Sequence, residues 1–194
     1  MDNIYQAPQS EVVDEVSDRE EQSFYVVSQR KFWILYLTTL GIYDFYWFYK
    51  HWKIYRLRTG ESLWPVLRAF FSIFFVHSLF RLFRSAHEAE KRGVGAGLSG
   101  MATLYVIVTI GDRVATRFLD TGETAWWVDV IYWSPIFIIG FSLSKAQGVA
   151  NFVSGDEMGD KNGKLTLANW FWILAGLCGW GYIVHSYLAF YGVV

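Results

Sequence analysis

Residues 31–50 read KFWILYLTTLGIYDFYWFYK. How these residues meet a bilayer decides the fold. Residues 32–49 are apolar enough to read as a single crossing, although their length sits at the lower limit for a transmembrane helix. Three features oppose that reading. Gly41 weakens a helix in its middle. Asp44 places a carboxylate where an isolated charge is costly. Bases crowd both ends: Arg30 and Lys31 before, and Lys50, Lys53, Arg56 and Arg58 after. The stretch therefore predicts two half-helices joined at Gly41, Ile42 and Tyr43, with Asp44 capping the second. The first half, residues 32–40, is about 13 Å long at 1.5 Å per residue, about half the hydrocarbon thickness. Its turn must be buried in protein, because lipid offers a broken backbone no hydrogen bonds.

Outward from this stretch, residues 1–22 form an acidic tail expected to be disordered. Seven acids and the single base Arg19 fall within residues 1–24. No basic start followed by an apolar core is present, so the first apolar segment is expected to stay in the mature protein. Residues 24–27 form a short apolar patch, expected to touch the bilayer surface.

Beyond the stretch, residues 59–62 read as a turn, with Ser62 as an N-cap and Pro65 in the first turn of a helix over 63–91. His77, Arg81, Arg84 and Glu88 share one face of that helix, opposite Phe75, Leu79 and Phe83. This is the pattern of an interfacial amphipathic helix, or of a bundle helix with a wet face. A glycine-rich link over 93–100 leads to a helix over 98–117. A span over 125–144 opens on Trp126 and Trp127 and is kinked by Pro135. Residues 145–167 read as a polar link and 168–190 as the last span. Residues 155–163 lack the ligand spacing of a calcium loop and read as an exposed turn.

The whole chain agrees with a membrane setting. Apolar residues make up 53% of 194 residues and charged residues 18%, against about 25% charged in soluble domains. The fold class is all-α: a small polytopic membrane helix bundle over 23–194, with segments at about 28–58, 63–91, 98–117, 125–144 and 168–190. Its N-terminal helical hairpin is re-entrant or interfacial. If all five segments cross, the bases between them divide nearly evenly, nine against six. If the first two return to their starting side, thirteen face two. The positive-inside rule prefers the second layout, which has three spans and a cytoplasmic N-terminus. The bases flank apolar segments and form no separate basic face, which excludes a general nucleic-acid binder. Cys178 is the sole cysteine, so no intramolecular disulfide forms.

The residues Thr39-Leu40-Gly41-Ile42-Tyr43 and Tyr46-Trp47-Phe48-Tyr49-Lys50 compose a Thr-x-Gly-Ile-Tyr-x-x-Tyr-Trp-x-Tyr-Lys motif. It resembles the signature of an uncharacterised family of small bacterial inner-membrane proteins. The block around Pro65, Arg68 and Phe71 and the final helix are similar to later parts of that family. The resemblance implies a multi-pass protein of the bacterial inner membrane and supplies no reaction, substrate or cofactor.

No catalytic set and no metal-ligand spacing is legible: His51, His77, His87 and His185 are scattered, and no cofactor is expected. The candidate lipid- or partner-contact residues are Gly41, Tyr43, Asp44, Trp47, Lys50, Arg68, His77, Arg81, Arg84 and His185. The segment from Gly41 to Trp52 reads as a packed aromatic turn whose lysines meet lipid phosphates. Its functional alternative is a half-helix terminus that binds an anion or lipid head group. Arg68, with His77, Arg81 and Arg84, reads as a basic cleft or as a phosphate-facing helix. Arg68 lies near the entry end of its helix or pairs inside the bundle, with Asp44 or Asp112 as the candidate partner. His185 reads as an interhelical hydrogen bond. The expected partners are membrane lipids and another membrane protein or a second copy. The function expected first is structural, accessory or interaction; the alternative is a small oligomeric transporter or channel.

Overall fold

The computed structural model describes residues 23–90, 97–118, 126–190 and 192. The acidic tail, most of the glycine-rich link and residues 119–125 lie outside the described residues. The described residues form α-helices and one short 3₁₀ turn, with no strand among them.

Residues 31–50 lie in two helices, α1 (Gln29–Thr38) and α2 (Tyr43–Thr59), and the turn between them. Between them Leu40 and Gly41 both take left-handed backbone, with φ of 55° and 82°. Gly41 does so without steric cost; Leu40 does not. The freed backbone groups are satisfied within the turn. The Thr38 and Thr39 hydroxyls donate to the carbonyls of Ile34 and Leu35, each at 2.7 Å. The Gly41 N–H reaches the Tyr36 carbonyl at 2.9 Å. The Thr39 hydroxyl also accepts the Tyr43 N–H at 3.1 Å. Asp44 does not cap α2 as expected. Ile42 is the flanking residue and Asp44 lies inside the first turn, where its carboxylate is engaged elsewhere.

The expected helix over 63–91 is broken at Phe71 into α3 (Pro65–Phe70) and α4 (Ser72–Ala89). Ser62 is not its cap; Trp64 precedes Pro65, which takes the first helical position. No glycine or proline marks the break. Packing makes it: α3 lies against α2, while α4 lies against two later helices. On α4 the buried residues are Val76, Leu79, Phe80 and Phe83, so its expected apolar face is the one turned inward.

Three helices are long and apolar enough to cross a membrane: α5 (Leu98–Phe118), α6 (Trp126–Val153) and α7 (Leu167–Phe190). Their outward side chains form an apolar surface far larger than a soluble protein tolerates. Ile107, Ile110 and Val114 on α5, Val130 and Phe137 on α6, and Phe171 and Leu174 on α7 are all at least half exposed. The chain is therefore a multi-pass, all-helical membrane protein. Helix α6 runs nine residues past the expected end at Ser144. Gln147 and Asn151 look like loop residues in sequence, yet both are fully buried and point into the bundle.

Glycines seat the α1–α2 turn against the long helices. A Cβ on Gly140 of α6 would lie 2.7 Å from the rings of Trp33 and Tyr36, and one on Gly176 of α7 would lie 2.1 Å from the Thr38 carbonyl oxygen. The Trp180 indole N–H donates to the Leu37 carbonyl at 2.9 Å. The turn thus sits level with the middles of α6 and α7.

Residues 24–27, expected at the bilayer surface, are instead an extended strap buried in the core. The Val27 N–H donates to Asn151 Oδ1 at 3.2 Å, and Asn151 Nδ2 donates to the Val27 carbonyl at 2.9 Å. Gln147 Nε2 donates to the Tyr25 carbonyl at 2.9 Å. Asn162 Nδ2 donates to the Val26 carbonyl at 2.8 Å. The 155–163 loop is therefore more than an exposed turn, since it clasps the strap. Gly159 makes this possible: its φ is 72°, and an added Cβ would lie 2.5 Å from the Ser28 nitrogen. Gly159→Ala is expected to destabilise the protein by about 2 kcal/mol through clash and left-handed strain. Thermal unfolding of the detergent-purified chain checks this; an unchanged midpoint refutes it.

Candidate functional site

Asp44 is the centre of the site. Tyr105 of α5 donates its phenol proton to Asp44 Oδ2 at 2.8 Å. Because that proton is committed, the Ser72 hydroxyl at 2.9 Å donates to Tyr105. The other carboxylate oxygen, Oδ1, is buried without a hydrogen-bond partner. A carboxylate with a bare oxygen in a dry environment is costly, so such groups are paired or functional.

Asp44 faces a cavity of about 970 Å³ beneath the α1–α2 turn. Leu40, Gly41, Asp44, Phe70 and Ser72 form its roof; α5, α6 and Ile183 of α7 form its walls. Ile110, Ile136 and Ile139 make much of the wall apolar, and Tyr36, Tyr105, Tyr132 and Trp133 add rings. Asp112, Arg113 and Arg117 lie at the far end of α5, with both arginines exposed. From Tyr105 to Arg117 the helix rises about 18 Å at 1.5 Å per residue.

The start of α2 is poorly suited to an anion. The N–H groups of Tyr43, Asp44 and Phe45 already bond Thr39 Oγ1, the Gly41 carbonyl and the Ile42 carbonyl. These bonds occupy the donors an anion needs, and the Asp44 carboxylate adds like charge.

Above the roof lies a polar core. Trp47 Nε1 and His51 Nε2 both reach Gln147 Oε1, which must accept from each. Tyr43 pairs its hydroxyl with that of Tyr25 at 3.3 Å. Lys50 lies over the Tyr25 and Tyr46 rings at 5.4 and 5.9 Å. Lys31 at the start of α1 donates to Asn162 Oδ1 and the Lys164 carbonyl, each at 2.7 Å. Burial lowers the pKa of its ammonium.

The structure brings Gly41, Tyr43, Asp44 and Trp47 together at the turn. It does not gather the expected basic cleft. Arg68 bonds neither Asp44 nor Asp112: its guanidinium lies over the Trp52 ring at 4.4 Å and the Phe75 ring at 5.2 Å. Aromatic faces attract cations strongly enough to hold it there. His77 is exposed and within 3.2 Å of the Thr103 hydroxyl. Arg81 is exposed, and Arg84 pairs with Glu88 at 3.4 Å. His185 lies exposed on the outer face of α7 and makes no interhelical hydrogen bond among the described residues. No cluster of metal-ligating side chains occurs among the described residues.

Sequence reasoning missed Tyr105, Gln147 and Asn151. A signal for the last two was present: Ala146 and Gln147 recur as Ala150 and Asn151 four residues later, a helical spacing that runs past Ser144. Tyr105 offered none, since one tyrosine in an apolar helix reads as packing.

Fold and site together define a small, all-helical, multi-pass membrane protein with an open cavity lined mostly by apolar and aromatic side chains, with Asp44 at its roof. The chain matches no family model, no curated protein and no solved structure.

Proposed function

We propose that the protein binds a small molecule within the bilayer, in the manner of a transporter or channel, at the cavity roofed by Asp44. The observation that carries this reading is the buried, unpartnered Oδ1 of Asp44, a residue that lines a large cavity. A purely packing or accessory role gives no reason to bury a carboxylate in that state. The acidic tail on which a docking role would rest lies outside the described residues.

In this reading α5, α6 and α7 cross the membrane and α1–α2 forms a re-entrant hairpin reaching mid-bilayer. The break at Phe71 makes α3 and α4 a second hairpin whose tip carries exposed Phe70 and Phe74. Charge placement supports this layout. Arg30, Lys31, Lys53, Arg56, Arg58, Lys161 and Lys164 gather where the hairpin enters, while Arg113 and Arg117 lie at the other end of α5. The positive-inside rule makes the first end, and the N-terminus, cytoplasmic. Membrane lipids then cover the outer faces of α5–α7, and Arg113 and Arg117 meet head-group phosphates. The motif resemblance agrees with a bacterial inner membrane.

The cavity then opens on the non-cytoplasmic side. In a Cys178→Ser background, Ser72→Cys is expected to react with a membrane-impermeant thiol reagent added from that side of sealed vesicles. It should stay unreactive from the cytoplasmic side. Absence of labelling from the non-cytoplasmic side, in a folded protein, refutes the reading.

A further inference from the structure

We propose that the roof of the cavity is a binding site for an organic ammonium ion, held by Asp44 and by the aromatic walls. The inference rests on the small-molecule reading above and names the chemistry that the site selects. Asp44 Oδ1 is a buried acceptor with no donor, and an ammonium group supplies both the missing hydrogen bond and the missing charge. Tyr105 and Ser72 hold the carboxylate in place, because their chain of donors ends on its other oxygen. Oδ1 is therefore the carboxylate oxygen left for a ligand, on a residue that lines the cavity.

The surroundings choose among cations. A hard metal ion needs several oxygen ligands, and the roof offers one free carboxylate oxygen beside hydroxyls that are already engaged. Tyr36, Tyr105, Tyr132 and Trp133 line the same space. Aromatic faces hold an alkylated ammonium well once water is excluded. Ile110, Ile136 and Ile139 accommodate an apolar body attached to it. Anions are disfavoured at the roof by Asp44 itself, and the first N–H groups of α2 are already bonded. Arg113 and Arg117 lie about 12 and 18 Å further along α5. They are far enough to serve lipid phosphates without opposing a cation at Asp44.

The test uses the full chain purified in detergent, with phenethylammonium and benzyltrimethylammonium as probes. Phenylethanol and phenylpropionate are the neutral and anionic controls. Binding is read by calorimetric titration. Both ammonium ions are expected to bind saturably, and each control at least ten-fold more weakly. Asp44→Asn keeps the acceptor for Tyr105 and should remain folded while weakening ammonium binding at least ten-fold. Tyr105→Phe removes the phenol but keeps the charge, and should weaken binding by a smaller factor. Failure of both ammonium ions to bind the folded protein overturns the proposal. Equal binding by Asp44→Asn, or tighter binding of phenylpropionate, does the same. If Ser72→Cys is labelled while no ammonium binds, the ligand class is wrong and the small-molecule reading stands. If Ser72→Cys is not labelled, that reading fails as well.

Discussion

Gly176→Ala is expected to destabilise the protein by about 3 kcal/mol, the upper part of the range for overpacked interiors. The added Cβ would fall 2.1 Å from the Thr38 carbonyl oxygen and 2.7 Å from its carbon. Both are backbone atoms of the last residue of α1, where the turn begins, so no side chain can swing aside. Moving the turn away from α7 would also stretch the Trp180 bond to the Leu37 carbonyl. It would expose turn groups that lipid cannot satisfy. Gly181→Ala is the control, since nothing lies within 4 Å of its added Cβ. Thermal unfolding in detergent should show a large drop for Gly176→Ala and no drop for Gly181→Ala. Equal midpoints for Gly176→Ala and the parent would mean that α7 does not seat the turn.

Asn151→Leu is expected to be costlier, at about 3–5 kcal/mol, because it strands several buried groups at once. It removes the two bonds that pair Asn151 with the Val27 backbone. It also removes the 2.6 Å bond that Gln147 donates to Asn151 Oδ1. Each buried donor or acceptor left bare costs about 1–3 kcal/mol. Leucine has nearly the right volume, so a loss of this size reports the polar pairing and not a void. The strap should then release, and limited proteolysis near residues 24–28 should become fast while α5–α7 stay protected. If Asn151→Leu is neutral and the strap stays protected, the side chain does not anchor it.

The three long helices were legible because twenty or so apolar residues in a row have few other fates. The break at Gly41 was legible too, since a glycine and an aspartate in one apolar stretch conflict with a simple crossing. Three features were not. The strap is four residues long, too short for any period to declare itself. The Phe71 break has no glycine or proline to announce it. Gln147 and Asn151 look like a linker because hydropathy scores a side chain's preference for water, and here the strap's peptide groups take water's place. Within the site, Asp44 stood out in sequence, whereas its partner Tyr105, sixty-one residues away, could be found only from the folded chain. Arg68, for which Asp44 or Asp112 is the candidate partner in sequence, is served by the rings of Trp52 and Phe75 instead.

The strap has a temporal consequence. Its residues leave the ribosome early, yet the amides that grip Val27 are encoded 124 residues later. At about 5–20 residues per second that is a wait of roughly 6–25 s. Throughout it, the N-terminal segment has no native lock. Chains cut short before Asn151 never acquire that lock.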